Sequence, residues 1–186
     1  MMTRRTSAEK IPQLAKTRRG FSLIELLVVV AIILILAAIA IPNFMRSRMA
    51  ANEASAAESV RTITTAAVVY HTTWGNGYPP SLAALGGTGP TATCDQSVLL
   101  DTMLTTAPSQ KSGYAYTYVG EGPANIAPVG CSAPGYEEYL ASAKPTDPGV
   151  TGQRSFCSDE PGVIHYDING GPIGSPAACE ALPALQ

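Results

Sequence analysis

The 186-residue sequence contains few of the side chains that usually carry catalysis. Its only histidines are His71 and His165, and it has no H-E-x-x-H, no nucleophile-elbow serine, no phosphate-cradling glycine loop and no C-x-x-C-H. The two histidines could meet in the fold, but surface or hydrogen-bonded positions are the better interpretation. The sequence therefore predicts no enzyme and no cofactor.

Polar side chains are almost absent between residues 21 and 45, where only Ser22, Glu25 and Asn43 interrupt 25 positions. A helix over this segment would be about 37 Å long, enough to cross a hydrocarbon core of about 30 Å. Residues 1–20 carry six basic side chains and one acidic side chain, a net charge of +5. Such an excess is retained in the cytoplasm, so the sequence predicts a single-pass membrane helix with a cytoplasmic N-terminus.

Glu25 is the one charged residue in this segment. A carboxylate one turn into an apolar helix costs about 2–3 kcal/mol or more in a membrane unless a cation pairs with it. Cleavage between Gly20 and Phe21 would create an α-amino group that could pair with Glu25 of its own helix or, with less strain, of a neighbouring copy. This pairing predicts a self-assembling helix; the alternative is a frayed helix start at headgroup level.

The run Gly20-Phe21-Ser22-Leu23-Ile24-Glu25-Leu26 resembles the cleavage and methylation signal of type IV prepilins and of the pseudopilins of type II secretion. The resemblance covers residues 18 to about 48, and Pro42 falls where many pilins place a helix-bending proline. It implies that Gly20 ends the leader, that Phe21 becomes the N-methylated first residue, and that Glu25 drives docking into a filament.

The same resemblance implies the partners and the location of the chain. The partners are a prepilin peptidase that is also the N-methyltransferase, identical or related pilin subunits, and an inner-membrane assembly platform. The protein would first occupy the bacterial inner membrane and then a periplasmic or cell-surface filament.

Two other export signals compete with this interpretation. Ala38-Ile39-Ala40 has the A-x-A form of an ordinary secretory cleavage site, and Arg18-Arg19 gives the preceding segment a twin-arginine appearance. Neither signal explains a glutamate at the head of the apolar run or the helical pattern that continues past Ala40. Prepilin processing therefore fits the sequence better.

Four cysteines lie beyond the apolar run, and none forms a C-x-x-C pair. An even number in the exported part indicates two disulfides formed in an oxidising compartment. Three connectivities are possible. We favour Cys94 with Cys131 and Cys157 with Cys179, because each pair closes a local Gly/Pro-rich loop that lacks apolar anchors. A metal site would need closer ligands and nearby histidines.

After Pro42 the pattern becomes amphipathic. An apolar stripe at helical spacing runs to about Thr73 and comprises Met49, Ala56, Val60, Ile63, Ala67, Tyr70 and Trp74. One helix of about 50 residues is therefore predicted, with a bend or a melted turn at Pro42. Glycine and proline punctuation from Trp74 to Pro80 ends it, and Ser81 to Leu85 is expected to form a short helical turn.

The remainder of the chain is predicted to be a small antiparallel sheet. Tyr114, Tyr116 and Tyr118 alternate with smaller residues, which places them on one face of a strand; this face is expected to be core rather than an adhesive surface. Further strands are expected at 136–141, 154–157 and 162–167. A weak helix is expected over 98–104, and the tail from Gly170 shows no periodicity.

Other binding sites find little support. Asp167-Ile168-Asn169-Gly170-Gly171 resembles half of a calcium loop, but too few ligands are visible and Asn-Gly is first a turn former. Without the leader the chain has six basic and 13 acidic residues, a net charge of −7, so no specific nucleic-acid binding is predicted.

These observations predict an α+β, pilin-like chain in four segments: a cleaved leader (1–20), a transmembrane or filament-core helix (21–45), an amphipathic helix (46–74) and a globular head (75–186). The expected function is that of a structural subunit of a type IV pilus-like filament serving adhesion, twitching motility or DNA uptake. A pseudopilin of type II secretion and a membrane-anchored periplasmic binding domain remain as alternatives.

Overall fold

The computed structural model describes residues 20–125, 127 and 130–185, and every structural statement below concerns these residues. The predicted leader lies outside this range apart from Gly20. The chain divides into two units, Met1–Ile41 and Pro42–Gln186, and each is described by itself.

The first unit contains the start of a long helix, α1, which spans Leu23–Trp74. This helix includes an 18-residue window of mean hydropathy 3.2, none of which is buried. Large apolar side chains such as Ile24, Leu34 and Ile41 are 60% exposed or more. A helical segment that is apolar on all sides and that no described residue covers suits a membrane or a filament interior.

The helix assignment continues without interruption through Pro42. The melted turn expected at this position is therefore not formed. A proline removes a single N–H from the helical ladder, and the neighbouring hydrogen bonds keep the turn helical. Beyond it, the hydroxyl of Ser47 donates to the carbonyl oxygen of Asn43 at 3.0 Å.

In the second unit α1 buries one stripe of side chains. Ala56, Val60, Ile63, Ala67 and Tyr70 are each at most 1% exposed, as the helical spacing predicts. Their common face follows from the period of 3.6 residues. The predicted amphipathic helix is thus confirmed, and it ends at Trp74 where Gly75 adopts a φ of +65°.

A five-stranded antiparallel sheet with strands in sequence order packs on this stripe. Its strands are β1 (Gln110–Lys111), β2 (Tyr114–Ala124), β3 (Tyr136–Pro145), β4 (Ser155–Ser158) and β5 (Ile164–Asp167). Tyr114, Tyr116 and Tyr118 are 0%, 4% and 8% exposed and belong to the same hydrophobic cluster as the stripe. The α+β fold is confirmed, and the tyrosines of β2 are core residues.

A second, smaller core lies on the opposite face of the sheet. Leu140 of β3 and Cys157 of β4 pack with Cys179, which belongs to a short helix, α4 (Pro176–Glu180). A disulfide joins Cys157 to Cys179, and both cysteines are completely buried. The C-terminal segment is therefore held on the sheet by a covalent bond and by apolar contacts.

The other disulfide joins Cys94 to Cys131, which are 37 positions apart. Both bonds follow the pairing that local loop closure favours. In the chain-entropy model, loops of these lengths contribute about 3–4 kcal/mol each to the free energy of unfolding. The first disulfide fixes the loop after α2 (Leu82–Leu85), the short helix expected from the sequence, and the hydroxyl of Tyr70 donates to the carbonyl oxygen of Cys94 at 3.0 Å.

One local prediction is wrong. Helix was expected over 98–104, yet Val98 has a φ of +55° and only Thr102–Thr105 is helical (α3). The N–H groups of Val98, Leu99 and Leu100 donate to carbonyl oxygens of the preceding segment, and these bonds override weak helix propensity. The tail, whose sequence shows no periodicity, contains α4, and the N–H of Leu185 donates to β5 at 2.7 Å.

Glu53 anchors α1 to the sheet. Its carboxylate is nearly buried and accepts hydrogen bonds from the N–H of Gln153 at 2.8 Å, from the N–H of Arg154 at 3.1 Å and from Nε of Arg154 at 2.9 Å. Burial raises the pKa of Glu53, but these bonds and the Arg154 charge outweigh it, so the pKa lies below its usual value. The guanidinium of Arg154 also packs over the rings of Phe156 and Tyr166.

We expect Glu53→Ala to lower the free energy of unfolding by about 2–3 kcal/mol, because it leaves buried donors without an acceptor. Glu58→Ala is the matched control. Glu58 forms an ion pair with Arg61 of the same helix, but both side chains are exposed, so the loss of this pair should lower the free energy of unfolding by less than about 0.5 kcal/mol. Thermal unfolding of the detergent-solubilised chain measures both. Equal effects would contradict the anchoring role.

The same carboxylate predicts a pH dependence. Because its folded-state pKa is lowered, the stabilisation is fully present above the unfolded-state value near 4.5 and is lost as the pH falls through the folded-state value. The stability difference between the native chain and Glu53→Gln should therefore shrink as the pH falls below about 4.5 and through the lowered folded-state pKa. Denaturant unfolding at several pH values measures it, and a difference independent of pH would refute this assignment.

Candidate assembly site at the start of the apolar helix

The backbone around the predicted cleavage position is accessible. Gly20, Phe21 and Ser22 precede the first helical residue and are exposed, and no other part of the described chain lies within 4 Å of the position that a Cβ of Gly20 would occupy. The Phe21 side chain is 83% exposed. The Gly20–Phe21 peptide bond thus lies in irregular, uncovered backbone, as a peptidase substrate requires.

Glu25 folds back onto the start of α1. Its Oε2 accepts a hydrogen bond from the N–H of Ser22 at 2.9 Å, while the carbonyl oxygen of Ser22 accepts from the N–H of Leu26 at 3.2 Å. This is one half of a capping box, in which a glutamate at the third helical position satisfies a donor at the helix start. The positive end of the helix dipole also stabilises a carboxylate there.

Sequence reasoning missed this contact, although the signal was present. The spacing Ser22-x-x-Glu25 is the capping-box pattern, whereas the apolar surroundings of Glu25 suggest only a charge that lacks a partner. The hydrogen bond does not neutralise the carboxylate, because a backbone N–H carries no net charge. A carboxylate offers about four acceptor sites, so most of the capacity of Glu25 remains available.

A shallow, open apolar groove on the surface of this helix includes the carboxylate of Glu25. Its volume is about 450 Å³, and Phe21, Ile24, Glu25, Val28 and Val29 line it. The aliphatic side chains come from successive turns of one helix face, so Glu25 is the single polar group in an otherwise apolar surface. Such a surface can receive an apolar segment that brings one cation. Pro42 lies 17 positions further along α1, where the second unit begins, and takes no part in this groove.

The other candidate residues do not form a site. The ring of His71 lies 4.8 Å from the ring of Tyr78, whereas Nδ1 of His165 is 2.7 Å from the carbonyl oxygen of Leu182. Within the described ranges, no three His, Cys, Asp or Glu side chains are placed to hold a metal ion. Asp167 instead accepts from the backbone N–H groups of Asn169 and Gly171, as a turn requires.

Buried phenols in the head do not suggest chemistry either. Burial raises the pKa of Tyr139 to about 12, with smaller contributions from neighbouring groups. Burial likewise raises the pKa values of Tyr114 and Tyr118. These hydroxyls therefore stay protonated at physiological pH, which suits core residues rather than nucleophiles or proton carriers.

Comparisons with known proteins agree with this geometry. The family described as "Prokaryotic N-terminal methylation motif" matches residues 15–41. The "Type IV major pilin protein PilA" of Myxococcus xanthus (strain DK1622) is 52% identical over 48 residues, which cover 26% of this chain and 22% of that protein. The match thus spans about a fifth of the relative's length. No solved structure matches.

The motif implies processing by a prepilin peptidase and assembly with related subunits, and pilins are structural subunits rather than enzymes. The matched segment holds Gly20, Phe21 and Glu25 together at the start of an uncovered apolar helix. The chain is therefore type IV pilin-like in its N-terminal segment, where it carries the methylation motif that type IV pilins and pseudopilins share.

Proposed function

We propose that this protein is a structural subunit of a type IV pilus-like filament. The prepilin peptidase cuts between Gly20 and Phe21 and methylates the new amine, and α1 holds the subunit in the inner membrane with its N-terminus in the cytoplasm. The observation that carries the proposal is Glu25, the one carboxylate of the exposed apolar part of α1, which lies within the matched methylation motif.

Assembly transfers α1 from lipid to a bundle of equally apolar helices. The apolar side chains gain little from this exchange, because lipid tails are as apolar as their new neighbours. A specific interaction must therefore set the register. The Phe21 amine of one subunit supplies the missing cation for Glu25 of the next, and the apolar wall of the groove makes their attraction stronger than it would be in water.

Two features favour a pilus over the pseudopilus of type II secretion. The relative found in Myxococcus xanthus is a major pilin, and the two disulfides fasten the head for exposure outside the cell. Presence of the protein in sheared surface fractions supports a pilus. Loss of secreted enzymes after deletion supports a pseudopilus, and protein that stays monomeric in the membrane supports an anchored binding domain.

Glu25→Ala should leave cleavage after Gly20 intact and lower the yield of sheared filaments by roughly tenfold or more, because the amine then has no carboxylate to meet. Asn43→Ala is the matched control, since it removes the other polar group near the end of the same apolar segment. Immunoblots of sheared and membrane fractions measure both forms. If Glu25→Ala formed filaments in normal abundance, pairing of the Phe21 amine with Glu25 would not be required for assembly.

Replacing Gly20 by leucine should block processing, because a bulky side chain occupies the site that the peptidase reads, whereas Gly20→Ala should be partly tolerated. Mass spectrometry of the N-terminus is the measurement. The native chain should begin with N-methylated Phe21. A mature chain beginning at Ile41 would instead indicate an ordinary signal peptide, and normal cleavage of Gly20→Leu would show that the cleavage position is wrong.

A further inference from the structure

A cavity of about 310 Å³ lies at the C-terminal end of β4, outside the region discussed so far. Four carboxylates line it: Glu138 from β3, Asp159 and Glu160 directly after β4, and Glu180 at the end of α4. Among the described residues, no lysine, arginine or histidine lines the cavity. The second disulfide holds α4 against β4, so the arrangement belongs to the rigid part of the head.

Asp159 is a buried carboxylate without a partner in the described chain. It is only 2% exposed, and neither carboxylate oxygen has a hydrogen-bond partner among the described residues. Burial raises the pKa of Asp159, and the nearby charge of Glu180 raises it further. Buried polar groups are almost always hydrogen-bonded, so an unpartnered buried aspartate facing three more carboxylates indicates a site that is completed by a cation.

The cation that fits this cavity is either a metal ion or a charged side chain, and the geometry favours the side chain. The described residues contain no group of three carboxylate, thiolate or imidazole ligands close enough to hold a metal ion. A guanidinium makes smaller demands on geometry, because its five donors can bind one or two carboxylates, often with two parallel hydrogen bonds. The cavity therefore suits an arginine side chain better than a bare ion.

The chain itself carries arginines in need of partners. Arg61 and Arg154 form ion pairs within the head. Arg46 and Arg48 are exposed, and the described part of the chain offers neither of them an ion pair. Both lie on the turns of α1 that precede Glu53, its first buried residue, so the head of their own subunit does not cover them.

We propose that the acidic cavity is a docking site for a second copy of this chain, whose Arg46 and Arg48 approach Glu138, Asp159, Glu160 and Glu180. The inference rests on the proposed assembly into a filament, which brings copies together at high local concentration. Glu25 sets the contact between apolar helices, and the cavity adds a charge-paired contact between a head and a neighbouring helix. Complementary charges of this kind fix register and reject wrong partners.

Charge reversal tests the contact. Glu180→Arg places a positive charge at the exposed rim of the cavity and should reduce the yield of sheared filaments by about tenfold or more, while the processed protein remains at its normal level in the membrane. Glu137→Arg is the matched control, because Glu137 is an exposed glutamate of β3 that does not line the cavity. Equal yields from both variants and the native chain would overturn the proposal.

Compensating reversal tests the partner. A chain with Glu138→Arg, Glu160→Arg and Glu180→Arg should lose its filaments, and adding Arg46→Glu and Arg48→Glu should restore most of the yield, since the charges on the two surfaces are then complementary again. Adding Arg61→Glu should not, because Arg61 is already paired within its own subunit. A loss of filaments that Arg46→Glu and Arg48→Glu fail to repair would show that another group occupies the cavity.

A cross-linking measurement separates this inference from the proposed function and does not depend on a disruptive variant. A chain with Arg46→Lys and Arg48→Lys, half of it isotopically labelled, is treated in membranes with a zero-length carbodiimide. Mixed-label peptides should join position 46 or 48 to Glu138, Glu160 or Glu180. If the native chain forms no filaments, the proposed function fails, yet these cross-links still support the docking site; their absence, in filaments or in membranes, overturns it.

Discussion

The structure depends on the unequal burial of one helix. The second half of α1 is covered on one face by a five-stranded sheet, and its stripe from Ala56 to Tyr70 forms the centre of the main core. The first half has a mean hydropathy of 3.2 over 18 residues, and none of the described residues buries it. Exposure of such an apolar surface to water is unfavourable, so lipid or other copies of the chain must cover the first half of α1.

Two glutamates on α1 show what this difference means for a charge. Glu53 lies where the sheet approaches the helix, and three hydrogen bonds together with an ion pair from Arg154 satisfy its carboxylate. Glu25 lies on the uncovered half and accepts one described hydrogen bond, from the N–H of Ser22. The hydrogen-bonding and charge requirements of the Glu53 carboxylate are therefore satisfied within the subunit. The Glu25 carboxylate retains acceptor capacity in a place where water is scarce, which makes it suited to a bond between subunits.

Much of this arrangement follows from the sequence because the relevant signals are local. The spacing from Ala56 to Tyr70 and the alternation of Tyr114, Tyr116 and Tyr118 have distinct periods, and each gave the correct element and the correct buried face. The pairing of the four cysteines followed from loop closure for a similar reason, since each bond spans a short stretch of chain.

Features created by contacts between distant segments escaped prediction. Val98 takes its conformation from a hydrogen bond to Gly86 rather than from its own propensity. The strand β1 has two residues and exists only because β2 pairs with it. Glu53 meets Arg154 a hundred positions away, and Asp159 meets Glu138 and Glu180 only after β3, β4 and α4 have packed. No sequence window contains both partners in these cases.

The two sites outside the core, the helix start and the acidic cavity, differ in whether a sequence motif predicts them. The S-x-x-E spacing at Ser22 and Glu25 marks a capping box in any sequence, so the fold-back of Glu25 was readable before the structure. Nothing in the sequence distinguishes Glu138 from its neighbour Glu137, and only the packed sheet makes one of them part of a cavity. The contact at the helix start can therefore be predicted from a local sequence motif, whereas the charged surface of the head forms only when the sheet and α4 pack together. A filament subunit needs both kinds of contact, because apolar helices can slide along one another at little cost and a second, charge-paired contact removes that freedom.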